Sequence, residues 1–218
     1  MPFEPDPFAY DRHRMVEQQL RGRGITDERV LAAMARVPRH RFLSDISDYE
    51  AYGDHPIPIG SGQTISQPYM VALMTQCLAL QGEAYVLEVG TGSGYQAAIL
   101  AELAAQVYTI ERHSELAERA RLTLQELGYQ NVEVTAGDGT LGWPEHAPYD
   151  GIIVTAGTPS IPQPWVDQLA DGGRLVAPVG DRYAQNLIVG EKRGRKLTER
   201  AVCTCVFVPL IGRYGWPE

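Results

Sequence analysis

The sequence feature that most constrains the fold is an apolar strand that runs directly into a glycine-rich loop. Residues 86–89 form the body of a short buried strand, and Gly90, Gly92 and Gly94 follow at every second position. Glycine permits positive φ angles and lets a ligand approach the bare backbone. Helical periodicity resumes at Gln96. A strand, a glycine loop and a helix N-terminus in this order predict a small-molecule site at the carboxyl end of a parallel sheet.

Strand and helix patterns alternate through the rest of the chain. The last two apolar runs flank the turn-like segment 192–195 and predict an antiparallel hairpin. The whole pattern predicts an α/β fold, a doubly wound, Rossmann-like, mostly parallel sheet of about seven strands with an antiparallel C-terminal hairpin and N-terminal helices. The predicted strands are 86–89, 107–110, 132–135, 150–154, 174–178, 186–191 and 201–209, and the predicted helices between them are 96–104, 115–127 and 164–170.

The part of the chain that precedes this pattern is predicted to contain helices and one long irregular segment. Residues 11–21 are helical in pattern, and a second helix is predicted to begin at a Thr26 cap. Residues 45–68 are rich in tyrosine, proline and glycine and carry no strand or helix prediction before Pro68. A long loop inside a compact domain usually has a functional reason.

The length of the chain suits one domain. Its 218 residues are enough for a full hydrophobic core and short for two, and 44% hydrophobic residues is an ordinary globular composition. We therefore expect residues 1–218 to form a single domain. In it, residues 1–80 supply helices and a substrate-binding loop, and residues 81–218 supply the cofactor-binding α/β core.

Charge and cysteine content argue against several classes of protein. A formal net charge of −8 disfavours a nucleic-acid partner held by a basic surface. The three cysteines, Cys77, Cys203 and Cys205, have no metal-site spacing and indicate a reducing compartment. No apolar run approaches membrane-spanning length. We expect a cytoplasmic protein, a monomer, with no nucleic-acid or membrane partner and no metal ion.

The glycine loop alone leaves the cofactor open. Gly92, Gly94 and Ala97 satisfy the loose dinucleotide fingerprint, and Glu111 stands where an acidic residue would bind ribose hydroxyls. This pattern fits a nicotinamide cofactor, a flavin or S-adenosylmethionine.

The acidic residues near the loop favour one of these cofactors. Glu88, Glu111 and Asp138 are predicted to line one cleft, where they would repel an anionic pyrophosphate. S-adenosylmethionine has no phosphate and carries a sulfonium and an ammonium group, so nearby acids suit it. Two alternatives remain at single positions. Glu88 would also serve as an acid that holds the loop amides, and Asp138 as a turn residue.

Several segments together carry a resemblance to a known family. The segment 86–94, with Glu111, 136–139 and 152–156, resembles the class I S-adenosylmethionine-dependent methyltransferases. The segment 62–68, Gly-Gln-Thr-Ile-Ser-Gln-Pro, narrows this, since it looks like the signature of the protein-L-isoaspartate (D-aspartate) O-methyltransferases. The likeness extends over nearly the whole chain. The cofactor-binding residues that it implies are Glu88, Gly90, Thr91, Gly92, Ser93, Gly94, Glu111, Arg112, Asp138 and Gly139.

The resemblance also implies a reaction. Enzymes of this family methylate the free α-carboxylate of L-isoaspartyl residues in damaged proteins and peptides, which would be the partners of this chain. D-aspartyl residues are a second candidate substrate. The ester cyclises to a succinimide, whose hydrolysis returns some normal aspartate. A carboxylic acid with a pKa of about 3.5 is already ionised at neutral pH, so the acceptor needs no general base. Catalysis then depends on alignment and on excluding water.

By the same resemblance, Ser66 is the predicted catalytic-site hydroxyl, which would bind or orient the substrate carboxylate. The alternative for Ser66 is a plain cap of the helix that begins near Pro68. Thr155 and Ala156 are predicted to border the substrate site, and the alternative is that both are core residues. The other predicted substrate-binding residues are Thr64, Ile65 and Gln67.

One position departs from the family pattern. In some relatives a polar residue follows the closing Val-Pro-Leu run, and here that position is Ile211, so no site role is assigned to the C-terminus. Three other functions remain to be distinguished: a methyltransferase of the same fold that acts on a small molecule, a cofactor-binding module without catalysis, and a dehydrogenase.

Overall fold

Helices and strands alternate along most of the chain in the computed structural model, which describes residues 6–43 and 50–218. The helices are α1 (Ala9–Arg14), α2 (Glu28–Arg36), α3 (Pro68–Leu78), α4 (Tyr95–Ala101), α5 (Ser114–Glu126) and α6 (Gln163–Gln168). The strands are β1 (Ile57–Gly60), β2 (Gln63–Ile65), β3 (Tyr85–Val89), β4 (Gln106–Glu111), β5 (Val132–Ala136), β6 (Tyr149–Val154), β7 (Leu169–Gly180), β8 (Gln185–Arg193) and β9 (Lys196–Cys205). Short π- or 3₁₀-helical segments lie at Met15–Leu20, Arg21–Arg23, Arg39–Phe42, Gly139–Leu141 and Pro144–His146.

Seven of these strands form one sheet, in the order β5-β4-β3-β6-β7-β8-β9. The pairs from β5 to β7 are parallel, whereas β8 pairs antiparallel with both β7 and β9. This arrangement confirms the predicted doubly wound, mostly parallel sheet with an antiparallel C-terminal hairpin. The strands β1 and β2 form a separate antiparallel hairpin.

Strand β3 is the point at which the strand order reverses. Val89, its last residue, pairs with Ile110 of β4 on one side and with Val154 of β6 on the other. The connections that follow β3 and β6 therefore diverge, and a crevice opens between them at the carboxyl edge of the sheet. Ligands of open α/β sheets bind at such a switch point.

Alternate residues of the central strands face two separate apolar layers. Val86, Val107 and Ile153 belong to a large core that also contains α2, α3, α4 and α5 side chains. Leu87 and Ile152 face the opposite layer, which is built around the buried Trp165 of α6 and Tyr149. Both faces of the sheet are thus covered, as a parallel sheet requires.

The helix starts differ from the predicted caps. The N-cap of α2 is Asp27, whose side chain accepts the Arg29 N–H, so the predicted Thr26 cap is wrong. The N-cap of α3 is Gln67, whose side chain makes no capping hydrogen bond. Asp54 instead accepts the Tyr69 N–H at 2.9 Å. Ser66 is therefore not the helix cap.

The segment 45–68 was expected to be irregular, and part of it is ordered as the β1–β2 hairpin. The hairpin turns at Ser61, where φ is +51°, and Gly60 and Gly62 on either side also have positive φ. Its second strand, β2, leads directly to Ser66. Residues 45–49 of that prediction, and residues 1–5 of the predicted N-terminal tail, lie outside the described residues.

Two further findings concern the described part of the chain. None of its helices has the length and apolar character needed to cross a lipid bilayer. Within residues 6–43 and 50–218, no group of three or more His, Cys, Asp or Glu side chains is arranged to hold a metal ion.

Candidate active site

The glycine loop closes the carboxyl end of β3 and turns into α4. Gly90, Gly92 and Gly94 have φ angles of 99°, 53° and 89°. The Gly90 N–H donates to the Ile110 carbonyl at 2.8 Å, which ties the loop to β4. A side chain at Gly90 would also overlap Thr155 Oγ1. The loop therefore exposes its backbone in a conformation that glycine adopts without strain.

A cavity of about 890 Å³, counted to its open mouth, lies against this loop. The wall comes from β2 and α3, from the glycine loop, from the ends of β4 and β6, and from segment 208–211. The predicted site residues in the wall are Thr64, Ile65, Ser66, Gly90, Thr91, Gly92, Ser93, Glu111, Arg112, Gly139, Thr155 and Ala156.

Four predicted site residues do not contribute to this wall: Gln67, Glu88, Gly94 and Asp138. Gln67 occupies the N-cap of α3. Gly94 is the N-cap of α4. It packs closely against α5, because a Cβ at this position would lie 3.2 Å from Ala120 Cβ. The two acids have separate surroundings.

Glu88 lies beneath the glycine loop, fully buried. Its Oε2 accepts the hydroxyl of Thr109 at 2.6 Å, and that hydroxyl lies 2.7 Å from the hydroxyl of Thr91. Its Oε1 has no hydrogen-bond partner among the described residues. Burial raises the pKa of Glu88 to about 8, so the carboxyl group is mostly neutral at pH 7. Glu88 thus supports the loop from below and places little negative charge in the cavity.

Asp138 stabilises two chain segments. Its Oδ1 accepts the backbone N–H and the hydroxyl of Thr140, at 2.9 and 2.6 Å, and its Oδ2 accepts the Arg213 N–H at 2.8 Å. Burial alone would raise the pKa of Asp138, but these hydrogen bonds hold it below its usual value. Asp138 lines a separate pocket beside Arg112 and Trp216. These contacts agree with the alternative interpretation of Asp138 as a turn residue.

Glu111 is the acid that does line the main cavity. It is 5% exposed, and its carboxylate accepts the Gly92 N–H at 2.8 Å and the His113 N–H at 2.9 Å. Two backbone amides on opposite sides therefore fix the orientation of the side chain. An ionised carboxylate has about four acceptor positions, so it retains capacity for hydroxyl donors of a ligand.

Ser66 follows β2 and lies in the cavity wall. Its side chain is half-buried, and its hydroxyl makes no hydrogen bond with any described residue. The adjacent helix α3 is capped from Asp54, so this hydroxyl is not needed for helix stability. It remains available to a ligand in the cavity.

Thr155 closes the other side of the loop. Its hydroxyl donates to the Gly90 carbonyl at 2.6 Å and lies 3.1 Å from the Val89 carbonyl. This contact explains why position 90 has no room for a side chain. Thr155 and Ala156 border the cavity, and Ala156 is also packed in the second apolar layer.

The C-terminal segment forms a wall that sequence reasoning did not assign. Gly157 donates to the Val208 carbonyl and accepts the Leu210 N–H, both at 2.8 Å, which holds residues 208–211 along the crevice. Trp216 then folds back and donates from its indole nitrogen to the Gly157 carbonyl at 3.2 Å. The closing run that includes Ile211 was visible in the sequence, but its packing against Gly157 was not.

Other wall residues were also missed by sequence reasoning: Gln63, Val71, Met74, Val89, Tyr95, Gln96, Ile110 and His113. Most are apolar, and their patterns indicated only core helices and strands. Tyr95 and Gln96 directly follow the glycine motif, and that position is the signal that could have identified them.

The model of one protein family matches most of the chain. The family is described as Protein-L-isoaspartate(D-aspartate) O-methyltransferase (PCMT), and the match covers residues 11–215. This chain belongs to the protein-L-isoaspartate O-methyltransferase family. The resemblance of segment 62–68 had indicated the same family, and that prediction is confirmed.

Curated members of the protein-L-isoaspartate O-methyltransferase family are similar over almost their full length. The protein-L-isoaspartate O-methyltransferase 1 of Syntrophobacter fumaroxidans is 59% identical over 209 residues, which cover 96% of this chain and 98% of that protein. The protein-L-isoaspartate O-methyltransferase of Methanoregula boonei is 58% identical over 212 residues, which cover 97% of this chain and 98% of that protein.

Solved structures of the protein-L-isoaspartate O-methyltransferase family have the same fold. One superposes with a TM-score of 0.86 at 29% identity and covers 94% of this chain and 67% of that chain. The PCMT of Plasmodium falciparum, solved in complex with S-adenosyl-L-homocysteine, has a TM-score of 0.80 at 26% identity and covers 92% of this chain and 98% of that chain. The family uses S-adenosylmethionine, which confirms the predicted cofactor.

Proposed function

We propose that this cavity binds S-adenosylmethionine and transfers its methyl group to the free α-carboxylate of L-isoaspartyl residues, and to the free side-chain carboxylate of D-aspartyl residues, in damaged proteins and peptides. The observation that carries the proposal is the Ser66 hydroxyl. It lies in the same cavity wall as Gly90–Ser93 and has no partner among the described residues. A hydroxyl donor beside a glycine cradle suits an anionic acceptor next to a cofactor.

The residues of the cavity suit this cofactor. The loop Gly90–Ser93 offers bare backbone, and Glu111 has acceptor capacity for the two ribose hydroxyls. Gly139 and Arg112 also line the cavity and would flank the adenine. When bound, S-adenosylmethionine supplies a methyl group attached to a positively charged sulfur.

The side chains of this protein would mainly position the acceptor. An α-carboxylate with a pKa of about 3.5 is ionised at neutral pH, so no residue has to remove a proton. Ser66 would donate to one carboxylate oxygen and leave the other free to attack the methyl carbon. Thr64, Ile65 and Gln67 would seat the peptide that carries the carboxylate, and the segment 208–211 would exclude water.

The two parts of the chain would work as one unit. The wall includes residues from β2 and α3 as well as from the α/β core, which supports a single domain over residues 1–218. A net charge of −8 supports the proposal that nucleic acid is not a partner. We further propose a monomer, which sedimentation would test. A cytoplasmic location is supported by three free cysteines, Cys77, Cys203 and Cys205.

The decisive experiment compares matched peptides with radiolabelled S-adenosylmethionine. Three peptides of one sequence carry L-isoaspartyl, D-aspartyl or L-aspartyl at a single position. The proposal predicts label on the L-isoaspartyl peptide, weaker label on the D-aspartyl peptide and background label on the L-aspartyl peptide. Equal labelling of all three, or labelling of small carboxylic acids in their place, would contradict it.

A further inference from the structure

Gln96 is a polar side chain in the cavity wall that the proposed mechanism does not use. It is the second residue of α4 and is 7% exposed. Its amide nitrogen donates to Thr75 Oγ1 of α3 at 2.9 Å. Thr75, itself 1% exposed, donates its hydroxyl proton to the Val71 carbonyl at 2.8 Å.

This pair determines which end of the amide is free. Because the Thr75 proton is committed to Val71, the hydroxyl oxygen of Thr75 acts as an acceptor and must face the amide nitrogen of Gln96. The oxygen Oε1 therefore points away from Thr75. It is buried and has no donor among the described residues. Native proteins rarely leave a buried acceptor unpaired, so a ligand or water donor is expected there.

Two neighbouring acceptors of the glycine loop, the Gly90 and Thr91 carbonyls, already have protein donors. Thr155 donates to the Gly90 carbonyl, and the Thr91 carbonyl accepts the Gly94 N–H at 2.8 Å. Glu111 lies at the end of β4, where the proposed function places the ribose. Gln96 is bonded to α3, whereas Glu111 is bonded to the glycine loop and to His113. A carbonyl oxygen repels a carboxylate and accepts a hydrogen bond from an ammonium group.

We propose that Gln96 Oε1 accepts a hydrogen bond from the ammonium group at the amino-acid end of S-adenosylmethionine. The inference rests on the proposed function, because it requires this cofactor in the cavity. Thr75 holds the amide in the orientation that makes the bond possible. Gln96 thereby fixes the amino-acid end of the cofactor and limits how far the sulfur can shift from the acceptor carboxylate.

The test measures binding and not turnover. Calorimetry compares three ligands: S-adenosylhomocysteine, its decarboxylated analogue, which retains the amine, and 5′-methylthioadenosine, which lacks both the amine and the carboxylate. The variants are Gln96→Met, which keeps the length of the side chain, and Thr75→Val, which removes the group that orients the amide. Gln125→Leu, at an exposed position of α5, is the matched control.

Gln96→Met is expected to weaken binding of S-adenosylhomocysteine and of its decarboxylated analogue by about tenfold or more, which is the effect of losing a hydrogen bond to a charged group. Its Kd for 5′-methylthioadenosine should stay within about twofold of that of the unaltered protein. Thr75→Val is expected to show the same selectivity with a smaller loss, and Gln125→Leu none. If Gln96→Met does not fold, Thr75→Val decides alone.

Three results would overturn the inference: unchanged affinity for all ligands, equal weakening of all three, or weakening of S-adenosylhomocysteine alone, which would assign Gln96 to the carboxylate. If the unaltered protein binds none of the three ligands, the proposed function itself fails.

Discussion

Replacing Glu111 by glutamine should weaken both the cofactor site and the fold. The carboxylate accepts the Gly92 and His113 N–H groups on its two oxygens. Glutamine has one acceptor oxygen, so one backbone N–H would face an NH₂ group and lose its partner. Each loss of a buried hydrogen bond to a charged group costs about 1.5–3 kcal/mol.

Glu111→Gln should affect both the stability of the fold and the affinity for the cofactor. In the absence of ligand, Glu111→Gln should lower the free energy of unfolding by ~1–3 kcal/mol, and each kcal/mol shifts the Tm of a chain of this size by roughly 2–4 °C. Binding of S-adenosylhomocysteine should weaken by a further factor of about 10–100, since the ribose hydroxyls lose a charged acceptor. Urea unfolding measures the first effect and calorimetry the second.

A matched control and a modified ligand make the prediction for Glu111 specific. Glu115→Gln changes an exposed carboxylate in the first turn of α5 and should alter neither quantity. A 2′,3′-dideoxy analogue of S-adenosylhomocysteine lacks the hydroxyls, so it should bind the unaltered protein and Glu111→Gln with similar affinity. If Glu111→Gln weakens both ligands equally, the carboxylate shapes the loop and does not bind the ribose.

Three further substitutions test separate parts of the account. Ser66→Ala should leave the Kd for S-adenosylhomocysteine within about twofold and lower kcat for an isoaspartyl peptide by about tenfold or more; unchanged kcat would remove the hydroxyl from the site. Gly90→Ala should abolish cofactor binding, measured by calorimetry, because the added Cβ would overlap Thr155 Oγ1. The control is Gly128→Ala, which is also at positive φ but has open space around it, and it should cost only about 1 kcal/mol of stability in thermal melts. Glu88 has a pKa raised to about 8 by burial, so the folded protein retains a proton that the unfolded chain loses above pH ~4.3, and stability falls as pH rises through that window. Urea unfolding at pH 5 and pH 8 measures the free energy of unfolding of Glu88→Gln relative to that of the unaltered protein. This difference should favour the variant by ~1 kcal/mol or more at pH 8 compared with pH 5, and an equal difference at both pH values would contradict the prediction.

The sheet and the glycine loop could be predicted because their signals are local. The apolar run at 86–89, the glycine spacing and the alternation of periodicities each depend on neighbouring residues, and they led to the observed strand count and hairpin. The strand boundaries differ at β9, which spans Lys196–Cys205 and not 201–209, and at β7, which begins at Leu169 and not at residue 174. The additional residues include Gly172 and Gly173, which do not read as a strand in the sequence.

Features that depend on distant contacts were not predictable. Thr26 was expected to cap α2, but the cap is Asp27. The cap alternative for Ser66 also fails, because the N-cap of α3 is Gln67 and the distant Asp54 accepts the Tyr69 N–H. The three acids expected in one cleft are separated for the same reason.

The wall at 208–211 likewise depends on a pairing with Gly157 that lies about 50 residues away in the chain. The free oxygen of Gln96 became visible only once Thr75 was placed beside it. In both cases the sequence contained the residues but no local pattern that related them.

The most direct test of the central claim is a crystal structure with S-adenosylhomocysteine and an isoaspartyl peptide bound together. The account predicts the nucleoside against Gly90–Ser93, the ribose hydroxyls on Glu111, and the isoaspartyl α-carboxylate within hydrogen-bonding distance of Ser66 Oγ, facing the sulfur. A nucleoside bound away from the glycine loop, or a carboxylate that lies beside a proton-accepting side chain and away from Ser66, would contradict it.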